Sequence, residues 1–170
     1  MNIIKYQLFV KKLFFNHYFI LSFILALAIV LRFWDLGKIP AGLNNDESSI
    51  AYNAYSILKT GKDEYGKPYP LYFKSFGDNK LPVYIYSTSL AINFLGPTPF
   101  AVRITSAMAG IIAVIAVYIF VRLISKKRIW ALSTALLLTI NPWHIFFSRT
   151  GFEVNVAVTL LLLGTLFMVA

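Results

Sequence analysis

The sequence predicts an all-α integral membrane protein with about four transmembrane helices, joined after the first by a long outer loop that carries interfacial helices. Three observations predict it. Hydrophobic residues make up 58% of the chain and charged residues only 14%, far more apolar than an ordinary globular domain. Its apolar runs approach the ~20 residues that a bilayer-crossing helix needs. The lysines and arginines behind the net charge of +9 gather at the ends of those runs, where basic residues set topology. They form no aromatic-and-basic stripe of the kind that binds nucleic acid. The absence of cysteine excludes a disulfide framework and thiolate chemistry.

Lys5, Lys11 and Lys12 precede the first apolar run, about Phe14 to Val30. A cleaved signal peptide is the competing reading. No small-residue cleavage site follows, because the run ends in Leu31-Arg32-Phe33-Trp34. The expectation is a retained first helix, with Arg32 and Trp34 at its interfacial end. The loop from Asp35 to about Pro99 holds six lysines and six acidic residues. Within it, Asn44 or Asn45 can cap a helix, and Ile50, Ala54, Ile57 and Leu58 fall on one face. Thr60-Gly61 ends it.

A second segment starts at Pro82, a good first-turn residue, and stops at Gly96-Pro97. At about 14 residues it is short of the ~20 that cross a bilayer. It also carries Ser87, Thr88, Ser89 and Asn93, so it is expected to lie in the interface. The second span is about Phe100 to Leu123, followed by a basic turn with Arg122, Lys126, Lys127 and Arg128. The third is about Ile129 to Phe147 and the fourth about Val154 to Ala170. The positive-inside rule puts the N-terminal lysines and the basic turn in the cytoplasm, and the acidic loop and Arg149 together on the outer face. Residues 1–170 form one transmembrane domain. The sequence ends inside an apolar run, at Met168-Val169-Ala170, so the expectation is the front part of a longer protein.

The chemistry concentrates at Asp46-Glu47, in Pro40-Ala-Gly-Leu-Asn-Asn-Asp-Glu-Ser-Ser. A helix N-terminus favours negative charge. A carboxylate there can accept a proton from an acceptor hydroxyl or hold a divalent cation. First-turn acids that merely cap the helix account for the pair equally well. Arg103 and Arg149, at the outer ends of the second and third spans, could bind phosphate through the planar guanidinium fork. Snorkelling to the headgroups is the competing reading. Lys74 and Lys80 flank Ser75-Phe76-Gly77-Asp78-Asn79. Glu153 stands four positions after Arg149, so the two could pair on one helical face. His17 and His144 lack metal-ligand spacing and read as interfacial. The tyrosines of the loop, Tyr52, Tyr55, Tyr65, Tyr69, Tyr72, Tyr84 and Tyr86, form an aromatic belt by default, with sugar stacking open to some of them. No phosphate loop, dinucleotide motif or Ser-His-Asp set is present.

Leu31-Arg32-Phe33-Trp34-Asp35, Asn44-Asn45-Asp46-Glu47 with Ala51-Tyr52, Gly77-Asp78-Asn79-Lys80-Leu81-Pro82, Phe100-Ala-Val-Arg103-Ile-Thr-Ser, Asn141-Pro142-Trp143 and Ser148-Arg149 occur in that order. Together they resemble the lipid-linked-sugar glycosyltransferases of the GT-C superfamily, nearest the protein O-mannosyltransferase and aminoarabinose-transferase-like group of family 39. The resemblance runs from about Arg32 to Glu153. It implies a multi-pass enzyme of the plasma or inner membrane that transfers a sugar from a polyprenyl-phosphate donor to an acceptor protein, lipid or glycan, with inversion. It implies Asp46 as general base, with Glu47 orienting the acceptor or the sugar. Arg103 and Lys80 would bind the donor phosphate, and Arg149, Glu153 and Asp78 would complete the substrate site. No metal ligand is assigned, although a divalent cation is left open. Such enzymes usually have more spans than this chain shows. A non-catalytic membrane protein that binds polyprenyl-phosphate or assists assembly is the alternative. A transporter fragment would need ionisable groups at mid-membrane, which the runs lack.

Overall fold

The breaks between helices fall where single residues interrupt backbone pairing. The computed structural model describes residues 17–169, so the N-terminal lysines, the start of the first apolar run and Ala170 lie outside the described residues. The elements are α1 (His17–Phe33), α2 (Asn45–Thr60), β1 (Phe73–Ser75), β2 (Asp78–Lys80), α3 (Pro82–Leu95), α4 (Pro99–Ser125), α5 (Arg128–Ile140), α6 (Pro142–Arg149) and α7 (Glu153–Val169).

α2 begins and ends as its sequence predicts. The Asn44 side chain accepts from the Glu47 N–H, and the Glu47 carboxylate accepts from the Asn44 N–H, a reciprocal capping box. Gly61 closes the helix in the left-handed conformation, φ 69°, with its N–H on the Ile57 carbonyl. α3 starts on Pro82 and ends at Gly96.

The loop between α2 and α3 is not purely helical, a departure from the all-α expectation. β1 and β2 pair antiparallel, with Phe73 opposite Lys80 and Ser75 opposite Asp78. Phe76 and Gly77 both take positive φ, 46° and 85°, as a two-residue primed hairpin turn requires. Three-residue strands are too short to leave a readable alternation in sequence.

α4 is the central helix. It packs against α1, α3, α5, α6 and α7. Its buried face is mostly small, with Ala101, Ser106, Ala107, Ala109, Gly110, Ala113 and Ala116, so neighbouring backbones come close. A Cβ on Gly110 would sit 2.3 Å from the Ser148 hydroxyl and 3.0 Å from Arg32 Nε. Along α7, Asn155 Nδ2 donates to the Ser106 carbonyl at 2.8 Å and Thr159 Oγ1 to the Ala109 carbonyl at 3.2 Å. These contacts advance together in sequence, so α4 and α7 run parallel. α1 and α5 pack through Ile24, Ala28, Leu132 and Ala135 against Val114. A second core, with Ile50, Ala54, Phe73, Tyr84, Ile85 and Val102, joins α2, β1 and α3 to the N-terminal end of α4.

Of the described helices, α4, with 27 residues, is long and apolar enough by itself to cross a membrane; α1 and α7 are shorter apolar helices of 17 residues each. α5 and α6 reach that length together but are bent by 58°. The single third span expected from Ile129 to Phe147 is therefore broken. Pro142 has no N–H to give the Leu138 carbonyl, and Asn141 leaves the helix and caps the next one by accepting from the His144 N–H.

Arg32 occupies this break, contrary to the expected interfacial position. It is fully buried. Its Nη2 donates to the Leu138 carbonyl at 3.4 Å and to His144 Nδ1 at 2.7 Å, and its Nη1 to the Ala28 carbonyl at 3.2 Å and the Thr139 carbonyl at 3.4 Å. The carbonyl freed by Pro142 is satisfied by a guanidinium from α1, and His144 serves as an acceptor in the packing.

Candidate functional site

The first turn of α2 sends its two acids in different directions. Glu47 points inward and is buried. Its Oε1 accepts from Arg103 Nε at 2.8 Å and from the Gly151 N–H at 2.8 Å. Its Oε2 accepts from Arg103 Nη2 and from the Asn44 N–H, both at 3.1 Å. Both oxygens are thus committed, one of them to the turn between α6 and α7. Gly151 leaves room for that approach: a Cβ there would lie 3.0 Å from Glu47 Cγ, a tight contact that the Glu47 side chain would have to relieve.

Arg103 is equally committed. Beyond Glu47, its Nη1 donates to the carbonyls of Leu36 at 3.1 Å and Pro40 at 2.8 Å, and its Nη2 donates to the Gly42 carbonyl. All five N–H donors of the guanidinium are used within the protein. The phosphate role expected of Arg103 and the acceptor-orienting role expected of Glu47 would each need some of these internal contacts to open. The pair is a buried clamp that fixes the loop between α1 and α2 onto the head of α4.

Arg149 has a similar fate. Its Nη1 donates to the Leu31 carbonyl at 3.0 Å, and its Nη2 to those of Trp34 at 2.7 Å and Ile39 at 3.0 Å. It caps the carbonyl end of α1, where a cation suits the helix dipole. It does not pair with Glu153: the extended backbone at Thr150, φ −115°, separates α6 from α7 and destroys the helical spacing of four.

Asp46 points the other way. Its side chain is 39% exposed and its Oδ1 lies 2.9 Å from Lys80 Nζ. β2 delivers Lys80 on the face that packs inward, and its side chain is only 10% exposed. The Asp78 carboxylate, on the same strand, lies 3.4 Å from the ammonium. Burial pulls the Lys80 pKa down, but Asp46, Glu153 and Asp78 together outweigh it and hold the group above the ordinary lysine value. Lys80 is therefore charged throughout the neutral range. The Asn79 N–H, followed by Lys80, lowers the Asp78 pKa. Glu153 opens α7 beside this cluster, with Oε2 buried and unpartnered. Two carboxylates thus contact one ammonium, and the charge of Glu153 acts on it from farther away. Among the described residues no group of three or more His, Cys, Asp or Glu side chains is arranged to hold a metal ion.

The structure thus brings Asp46, Lys80, Asp78 and Glu153 together, and moves Glu47, Arg103 and Arg149 into the scaffold. Sequence reasoning missed the burial of Arg32 and its bond to His144; Pro142, inside an apolar run, was the signal for the break they fill. No protein-family model matches the chain, and no curated protein or solved structure shows significant similarity to it.

Proposed function

We propose that the chain is a multi-pass membrane protein that moves a sugar from a polyprenyl-phosphate donor to an acceptor hydroxyl or phosphate on the outer face of a plasma or inner membrane. The observation that carries the reading is the Asp46–Lys80 pair, an accessible carboxylate 2.9 Å from a shielded ammonium. The order of motifs resembling the family of lipid-linked-sugar transferases supports it. So does a groove of about 350 Å³ between α4 and α7, lined by Ile104, Met108, Ile112, Leu160 and Leu163, which suits a prenyl tail. The alternating direction of α1, α4, α5–α6 and α7 supports four crossings. Arg122, Lys126, Lys127 and Arg128 then lie at the cytoplasmic end, opposite Asp46.

In this reading the donor phosphate takes Lys80 from Asp46. The freed carboxylate accepts the proton of the acceptor O–H while that oxygen attacks the anomeric carbon from the face opposite the phosphate. The bond from carbon to the phosphate oxygen breaks, its electron pair leaves with the polyprenyl phosphate, and the configuration inverts. Lys80 stabilises the charge developing on the leaving group. Assayed in membranes with a synthetic polyprenyl-phosphate sugar, Lys80→Gln raises KM for the donor by about tenfold to a hundredfold, the effect of losing a charge-assisted contact to phosphate. An unchanged KM for the donor removes Lys80 from the phosphate site.

The second reading, a polyprenyl-phosphate-binding protein without transfer activity, is favoured by the mutual neutralisation of Asp46 and Lys80. Donor binding with no transfer by the wild-type chain selects it. Topology is tested separately: cysteines placed beside Lys67 and beside Lys127 label from opposite sides of the membrane. Labelling from one side means that α3 crosses and overturns the outer placement of Asp46.

A further inference from the structure

The β1–β2 hairpin has two working faces. Phe73, Ser75 and Lys80 are buried on one of them, while Lys74 is exposed on the other. On this second face Lys74 lines a cleft of about 310 Å³ with Asp63, Tyr65, Lys67 and Tyr72, within the size of small-molecule sites, ~300–1,000 Å³. The wall is preorganised. Asp63 is buried, and its Oδ1 accepts from the N–H groups of Tyr65 at 3.0 Å and Lys67 at 2.7 Å. The fully buried Asn53 of α2 pins the same turn, donating to Glu64 Oε1 at 2.9 Å and accepting from the Glu64 N–H at 3.1 Å. Tyr86 of α3 fixes the far side through the Pro70 carbonyl at 2.9 Å.

The exposed groups that line the cleft are two ammoniums and two phenol rings; the Asp63 carboxylate beside them is buried, with Oδ1 held by two backbone N–H groups. Tyr65 is 66% exposed and Tyr72 47% exposed. Lys67 Nζ sits 4.2 Å from the centre of the Tyr72 ring, a cation–π contact that leaves the ring of Tyr65 available. Phenol faces suit the C–H face of a pyranose, and lysine ammoniums donate without accepting. We propose that this cleft binds an anionic saccharide, an acidic or phosphorylated sugar, with its ring on Tyr65 and its negative group between Lys67 and Lys74. Because Lys80 and Lys74 occupy opposite faces of the hairpin, the cleft is separate from the Asp46 site. Binding there does not require the transfer reaction.

The test uses the full chain in phosphatidylcholine nanodiscs, with tyrosine rings carbon-13 labelled and assigned through Tyr65→Phe and Tyr72→Phe. It is titrated with glucuronic acid, glucose 6-phosphate, glucose and inorganic phosphate. Both acidic sugars shift the Tyr65 and Tyr72 signals, and each binds about tenfold or more tightly than glucose or phosphate, the scale of one charge-assisted contact. Lys67→Gln and Lys74→Gln each bring that affinity toward the glucose value, while Asp46→Asn titrates as wild type. Lys74→Gln changes only an exposed strand position, so its folding is secure. Four results overturn the proposal: no shift with either acidic sugar; equal shifts with phosphate or glucose; loss of binding in Asp46→Asn; or the same shifts from phosphatidylglycerol nanodiscs without saccharide, which assigns the cleft to lipid headgroups.

Discussion

On the proposed transfer reaction, Asp46→Asn is expected to lower turnover by ~10²–10⁴-fold, the usual contribution of a positioned proton acceptor. The fold survives. Asparagine keeps an oxygen where Asp46 Oδ1 meets Lys80 at 2.9 Å, so the geometry at the head of α2 is retained. What disappears is the basicity of the group and its charge. The side chain is 39% exposed, and an ion pair with one partner this open stabilises a protein by only ~0–1 kcal/mol. Thermal unfolding therefore separates the loss of chemistry from the loss of structure.

The same substitution one residue later gives the opposite pattern. Glu47→Gln removes charge from a buried carboxylate that accepts four hydrogen bonds, and it registers first in stability. The readouts are initial transfer rates at saturating donor, and unfolding midpoints of the same preparations in detergent. Asp46→Asn with wild-type rates would falsify the assignment of Asp46 as base. A rate lost in proportion to folded protein would make Asp46 structural like its neighbour.

The contrast between these adjacent acids shows what sequence does and does not reveal. The cap on Asn44, the stop at Gly61 and the start at Pro82 were legible because each rests on a few consecutive residues. The gathering of Asp46 and Lys80 was legible only as shared sidedness. Their contact depends on a two-residue turn, Phe76-Gly77, that aims β2. The fates of the arginines were not legible. An arginine at the end of an apolar run reads as a snorkelling cation. Arg103 instead turns inward because the loop after α1 supplies three carbonyls, those of Leu36, Pro40 and Gly42. Arg32 turns inward because Pro142, more than a hundred positions away, frees the Leu138 carbonyl. These acceptors are created by tertiary structure, so no local pattern announces them.

Arg103→Leu is the substitution with the largest structural effect, expected to cost about 3–5 kcal/mol of stability. It leaves Glu47 as a buried carboxylate without its counter-charge and strips three loop carbonyls of their donor. Removing one member of a buried pair costs more than the pair contributes, because the survivor remains desolvated and uncompensated. It follows that Glu47→Leu combined with Arg103→Leu loses less than the two single changes added together, a non-additivity expected of direct partners. The comparison is made by urea or thermal unfolding of the four proteins in the same detergent. It also decides between scaffold and substrate contact. A phosphate-binding arginine, when removed, weakens donor binding in a protein of normal stability, and the double variant recovers nothing. A clamp, when removed, loosens the loop between α1 and α2 together with the first turn of α2, so the unfolding midpoint falls and the position of Asp46 is lost with it. Wild-type stability in Arg103→Leu, with donor affinity alone impaired, would return Arg103 to the phosphate site.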